Sequence, residues 1–240
     1  YNIATYIDAN GLKQVIPGAF QTAGSTRYTF IYDALPEGIL NYKPEYARAN
    51  LRNTPSSHWA YDNLEEMYVK HIIKDIGILP DKNITRGELA WVLYNSVVHD
   101  MLNLEITGPA PFPDVSEDDV AIRWAAEKKI ILGFPDGTFK PEQNITRQEA
   151  FAMFARFIRA YGLEFRKQLN LSEMPDFADI DEAGDWALED IALFAKSDIL
   201  RGIKDYSRTM LMPLKNISNA EVAAMVHRML KYMSYPDAIR

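Results

Sequence analysis

The sequence predicts a mainly α protein, three helix–loop–helix repeats behind a short β segment, and three observations carry that prediction. Ile84-Thr85-Arg86-Gly87-Glu88-Leu89 recurs as Ile145-Thr146-Arg147-Gln148-Glu149-Ala150 and, more loosely, as Ile217-Ser218-Asn219-Ala220-Glu221-Val222. A Trp-Ala pair stands upstream of each: Trp59-Ala60, Trp124-Ala125 and Trp186-Ala187. Turn formers and β-branched or aromatic residues crowd the first 48 positions and then thin out. Two markers that recur three times in one order are the signature of a repeat architecture.

Residues 1–48 come first. Asn10-Gly11 is a strong hairpin signal, and Pro17-Gly18 and Ala23-Gly24-Ser25 punctuate the chain beyond it. Arg27-Tyr28-Thr29-Phe30-Ile31-Tyr32 reads as a strand. About three strands of this length do not make a stable sheet by themselves. The segment is therefore expected to be the end of a preceding domain.

The repeats are expected to span residues 49–108, 109–173 and 174–240. Within each, Thr or Ser followed three residues later by Glu is a capping box, in which each side chain satisfies an orphan N–H of a new helix. The Ile before the cap and the Leu, Ala or Val after the Glu supply a hydrophobic staple. Apolar residues then recur at helical spacing, as in Phe151, Phe154 and Ile158 or Val222, Met225, Val226 and Met229. The Trp-Ala pair is expected to open the other helix. In the middle repeat that helix runs toward Ile130-Ile131-Leu132-Gly133, with Gly133 suited to its C-terminus. Phe134-Pro135-Asp136-Gly137-Thr138-Phe139-Lys140-Pro141 forms a turn, and the matching loop between Gly202 and Pro213 is longer.

Composition removes several function classes. The chain has 240 residues, 26 basic and 33 acidic, for a net charge of −7. That disfavours a nucleic-acid binder, which needs a basic face to displace counterions. Cysteine is absent, so thiolate metal sites, disulfides and cysteine nucleophiles are excluded. No apolar run is long enough to span a bilayer and no leader segment is visible. The four histidines, His58, His71, His99 and His227, lack metal-ligand spacing, and no nucleophile elbow or phosphate-binding glycine loop occurs. Asp179, Asp181, Gly184, Asp185 and Asp190 approach a calcium-loop spacing, but Ala183 and the missing terminal Glu spoil it. No enzyme, cofactor or metal is predicted. A glycosidase carboxylate pair, which is set by spatial separation, is the one catalytic alternative the sequence leaves open.

Phe112-Pro113-Asp114-Val115, Trp124-Ala125, Gly133, Asp136 to Pro141 and Ile145 to Glu149 together resemble an S-layer homology motif. The third repeat resembles it through Phe177-Ala178-Asp179-Ile180, Trp186-Ala187, Gly202, Pro213 and Ser218 to Glu221. The first does so through His58-Trp59-Ala60, Gly77 and Thr85 to Glu88, without the Phe-x-Asp opening. The resemblance implies three motifs in a pseudo-threefold arrangement around a central helical bundle. It also implies non-covalent anchoring of an exported protein at the bacterial cell surface, through an acidic, pyruvate-bearing secondary wall polysaccharide bound in grooves between motifs. Other surface-layer proteins are a second kind of partner, through a structural protein–protein role within a surface array.

The implied ligand residues are Thr85, Arg86, Thr146, Arg147, Trp124, Trp186, Gly133 and Gly202. Arg86 and Arg147 fall at the first helical position, where free N–H groups and the helix dipole already favour anions, and a guanidinium fork matches a carboxylate. The competing reading of each arginine is a structural salt bridge between repeats. Trp124 is expected to complete the groove of Arg86, and Trp186 that of Arg147. Either Trp could instead be core. Asn219 replaces the arginine in the third repeat, so at most two grooves are expected to hold an anion.

Overall fold

The hairpin signal at Asn10-Gly11 is realised. Gly11 adopts φ +77°, and β1 (Asn2–Ile7) runs antiparallel to β2 (Lys13–Ile16) with Ala4 opposite Ile16. The computed structural model describes residues 1–7, 10–16, 19–21, 28–30, 43–97, 106, 109–160, 176–197 and 199–233. Strand β3 (Ala19–Gln21) pairs with β4 (Tyr28–Phe30), which falls inside the stretch expected to be extended. Strand β5 (Lys43–Tyr46) pairs with the other edge of β1, giving a sheet of order β2-β1-β5. Among the described residues, five short strands thus stand where about three were expected. Ile3 and Val15 of this sheet are buried together with Val69 of the first helix, so apolar contact ties the β segment to the adjoining repeat.

Six α-helices are found among the described residues: α1 (Tyr61–Val69), α2 (Arg86–Val97), α3 (Val120–Glu127), α4 (Arg147–Ala160), α5 (Asp185–Lys196) and α6 (Asn219–Met233). Helices α2, α4 and α6 begin one residue after Thr85, Thr146 and Ser218, where the sequence places the caps. The Thr85 capping box is complete. Its backbone N–H donates to Glu88 Oε2 at 2.8 Å, and the Glu88 N–H donates to Thr85 Oγ1 at 3.1 Å. At Thr146, both the backbone N–H and the hydroxyl donate to Glu149 Oε2, at 2.9 and 2.7 Å.

The chain divides into two compact units. One holds Tyr1–Lys82, the second half of α2, and α6; the other holds Asn83–Trp91 and the stretch from Ile106 to Ser218. In the first, α1 lies against α6. There Glu66 is held between Lys70 Nζ, 2.9 Å from Oε1, and His227 Nδ1, 2.6 Å from Oε2. In the second, α4 lies along α5 with Phe154 edge-on to Phe194, and Trp124 meets Phe157 in the same way. The hairpin β6 (Ile203–Asp205) with β7 (Arg208–Met210) occupies the longer loop of the third repeat.

The three staple isoleucines form a closed ring in the second unit. Ile145 N–H donates to Ile84 C=O at 3.1 Å, Ile217 N–H to Ile145 C=O at 3.0 Å, and Ile84 N–H to Ile217 C=O at 3.1 Å. All three are buried. The residues that fix each helix entry are therefore also the residues that join the three repeats to one another.

The structure corrects two sequence expectations. Gly133 does not end α3, which stops at Glu127. The left-handed closing residue is Lys129 (φ +57°), with Lys129 N–H on Ala126 C=O and Ile130 N–H on Ala125 C=O at 2.7 Å. His71 (φ +60°) closes α1 in the same way. This is a double-hydrogen-bonded helix end built on a non-glycine residue, and it leaves no glycine signal in the sequence. Second, Trp124 is out of register. Ile72 and Ile199, whose amides close the last turns of α1 and α5, follow Trp59 and Trp186 by thirteen residues, whereas Ile130 follows Trp124 by six. Trp124 lies inside α3, not at its start.

Candidate functional site

The loop that leads from α3 to α4 is built on Asp114. Its Oδ1 accepts from Phe139 N–H at 2.9 Å and its Oδ2 from Lys140 N–H at 2.7 Å. Burial opposes ionisation of Asp114, but these amides outweigh it and hold the carboxyl below its ordinary range. Asp179 repeats the arrangement, with both oxygens accepting at 2.7 Å from Leu211 and Met212 N–H. Asp114 and Asp179 are thus loop caps. The calcium-loop spacing in the sequence is not used as one: Asp179 is committed to these amides and Asp190 to Arg159 Nη1 at 2.8 Å. Among the described residues, no group of three or more His, Asp and Glu side chains is placed to hold a metal ion.

Gly133 has a packing role in that loop. At φ +71°, an added Cβ would lie 2.5 Å from the Phe112 ring and 3.0 Å from Thr138 C=O. Gly202 has the corresponding neighbours, Phe177 and the backbone of Met210, together with the side chain of Thr209. Each glycine lets a loop close over the Phe that opens its motif.

A pocket of about 330 Å³ opens in the second unit, lined by Arg86, Leu132, Gly133, Phe134, Glu149, Met153, Arg156 and Trp186 among others. Arg86 is 7% exposed. As the first residue of α2, it is fixed by backbone N–H donation to Gln143 C=O at 2.9 Å. Its Nε donates to Phe139 C=O at 2.8 Å and its Nη1 to Glu149 Oε1 at 3.1 Å. The guanidinium lies over Phe134 and Phe139, 4.4 and 4.8 Å from the ring centres. Burial lowers its pKa from the ordinary value; Glu149 opposes that shift and Arg156 adds to it. Glu149 therefore serves two residues, capping Thr146 with one oxygen and bonding Arg86 with the other.

Trp186, at 55% exposed, gives the pocket an accessible aromatic face. It follows Asp185 at the start of α5, and the N–H of Gly184 donates to Gln148 Oε1 of α4 at 2.9 Å. An added Cβ on Gly184 would stand 2.5 Å from Trp186 Nε1, so only glycine leaves the ring its present position.

The expected pairing of arginines and tryptophans therefore changes. Arg86 shares its pocket with Trp186, not with Trp124, which is 2% exposed and packed against Phe157. Arg147, 3% exposed, does not line this pocket. Its Nε donates to Leu211 C=O at 2.8 Å and its guanidinium lies over Phe151. Asn219 makes the corresponding bond, from Nδ2 to Leu79 C=O at 2.9 Å. The first helical position thus contributes one strut to a carbonyl in each repeat, whether it is Arg or Asn. Arg86 makes a salt bridge of the kind the structural reading describes, with Glu149, and Arg147 bonds the Leu211 carbonyl instead. At Arg86 the bridge coexists with a pocket. Thr85 and Thr146 cap their helices and do not line the pocket. Sequence reasoning missed Glu149, Met153 and Arg156 because on a helix they read as an ordinary mixed stripe.

Residues 54–90 and 111–151 match the S-layer homology domain family. The chain is 29% identical over 156 residues to cell surface glycoprotein 1 of Acetivibrio thermocellus, covering 63% of this chain and 7% of that protein. It is 29% identical over 187 residues to an amylopullulanase of Thermoanaerobacterium thermosulfurigenes, covering 75% of this chain and 9% of the enzyme. It is 32% identical over 101 residues to the cellulosome-anchoring protein of Acetivibrio thermocellus, covering 42% of this chain and 21% of that one. The chain thus spans less than a quarter of each of these relatives, and the S-layer homology matches fall in two of the three places where the sequence repeats.

Proposed function

We propose that the chain anchors an exported protein non-covalently to the bacterial cell wall, at the cell surface. Its ligand is an acidic, pyruvate-bearing secondary wall polysaccharide, and it performs no catalysis. The observation that carries this reading is the pocket in which two arginines, Arg86 and Arg156, and the accessible face of Trp186 meet beside Gly133. A guanidinium suits the ketal carboxylate, and an aromatic face with apolar neighbours such as Leu132 and Met153 suits the sugar ring. That relatives with unlike names, one a cell surface glycoprotein and another an anchoring protein, share this segment supports a portable attachment module.

Residues 174–240 are proposed as a third motif of the same kind, in a pseudo-threefold arrangement. The reuse of Asp114 and Phe112 as Asp179 and Phe177, and the isoleucine ring, support that arrangement. Thr146, Arg147 and Gly202 are proposed to frame a second groove. The third repeat, with Asn219, is proposed to frame none that holds an anion.

Co-sedimentation with purified walls tests this. Binding is expected to disappear when the polysaccharide or its ketals are stripped, and to fall in Trp186→Ala. Undiminished binding to stripped walls would move the reading to protein–protein attachment within a surface array, and detectable cleavage of wall glycan would overturn the non-catalytic claim.

A further inference from the structure

The arginine that marks the motif is largely spent within the protein. Arg86 gives Nε to Phe139 C=O and Nη1 to Glu149, and Glu149 cancels its charge at contact distance. An anion entering the pocket therefore meets a neutral pair there. The remaining cation on the pocket wall is Arg156, one turn beyond Met153 on the stripe Glu149, Ala152, Met153 and Arg156 of α4. Among the described residues its guanidinium has no hydrogen-bonded or ion-paired partner. Asp190 acts on it only at a distance, and its Oδ1 accepts a hydrogen bond from Arg159 Nη1.

The geometry points to Arg156 as the residue that takes the acidic group of the ligand, with Arg86 and Glu149 as the scaffold that shapes the pocket floor. This inference rests on the proposed binding of an acidic glycan. A half-buried guanidinium whose fork has no partner among the described residues keeps its donors for a ligand, and a charge-assisted bond to a partly desolvated cation is stronger than one to a fully solvated side chain. The repeats add a sequence-level corollary. Position ten after the capping Thr or Ser is Arg156 in the second repeat, Arg228 in the third and Asn95 in the first. Asn95 is buried and donates to Ile72 C=O at 3.1 Å, so the first repeat offers no cation at this place.

Isothermal titration with wall polysaccharide carrying pyruvate ketals, and with the same polysaccharide after mild-acid removal of the ketals, tests the assignment. Arg156→Gln is expected to weaken binding of the ketal-bearing form at least about tenfold and to leave the ketal-free form unchanged. Arg159→Gln, the same charge change three residues away on a residue already bound to Asp190, is expected to keep wild-type affinity. Arg156→Lys, which keeps the charge without the fork, is expected to fall between and decides the matter if Arg156→Gln does not fold. Wild-type affinity in Arg156→Gln or Arg156→Lys, or an equal loss in Arg159→Gln, would overturn the assignment while leaving wall binding intact. Failure of the wild-type protein to prefer the ketal-bearing form would overturn the reading beneath it as well.

Discussion

At the residue scale, the decisive feature is how charged groups are committed. Glu66 is buried in α1, and burial alone would raise its pKa. The His227 hydrogen bond and the Lys70 charge outweigh that and bring it to about 2 from an ordinary 4.5. Because the folded state holds the carboxyl below its unfolded value, the cluster contributes stability above the ordinary carboxylate range. That contribution is lost as the pH falls from about 4.5 toward about 2. Chemical denaturation across that window is expected to show the wild type losing stability more steeply than Glu66→Gln, and equal slopes would mean that the cluster contributes nothing. The same scale shows what is not legible in the sequence. Asp114 and Asp179 bind amides 25 to 33 residues further along the chain, so their role as loop caps is set by tertiary closure and not by local sequence. Arg156 does not stand out, because nothing in a helical sequence tells a solvated arginine from one that lines a cavity made by another element.

At the scale of elements, helix starts are legible and helix ends are not. A cap and its Glu lie within four residues, so the sequence places the three second helices to the residue. The ends of α1 and α3 turn on His71 and Lys129, left-handed residues that tertiary packing imposes. For that reason the sequence points wrongly to Gly133 as the end of α3 and to Trp124 as its beginning. The loop glycines distinguish backbone strain from crowding. Gly133 and Gly137 both have positive φ, but an added Cβ at Gly133 meets Phe112 while at Gly137 it meets nothing within 4 Å. Gly137→Ala is expected to cost about 1 kcal/mol, the left-handed penalty alone, and Gly133→Ala distinctly more, about 2–4 kcal/mol, by urea denaturation. Equal costs would mean that Phe112 yields freely.

At the scale of the whole molecule, a net charge of −7 and the proposed acidic ligand are reconciled by placement. One pocket of about 330 Å³ sets two arginines beside a single carboxylate, with Arg86 paired to Glu149 and Arg156 left without an ion pair among the described residues. Local focusing of this kind does not require a basic surface. The repeat pattern in the sequence foretells that Ile84, Ile145 and Ile217 are buried beside their caps, whereas their bonding to one another in a ring shows only in the structure. Which tryptophan faces which arginine is not legible there, because that depends on how separate repeats close on one another. The proposed function requires the chain to recognise the acidic substituent of a wall glycan. Titration of the intact chain with a short pyruvylated oligosaccharide and with its unpyruvylated counterpart tests this most directly. Saturable binding of the first, at no more than two sites per chain, and little or none of the second are expected. Equal affinity for both, or no binding of either, would contradict the proposed function.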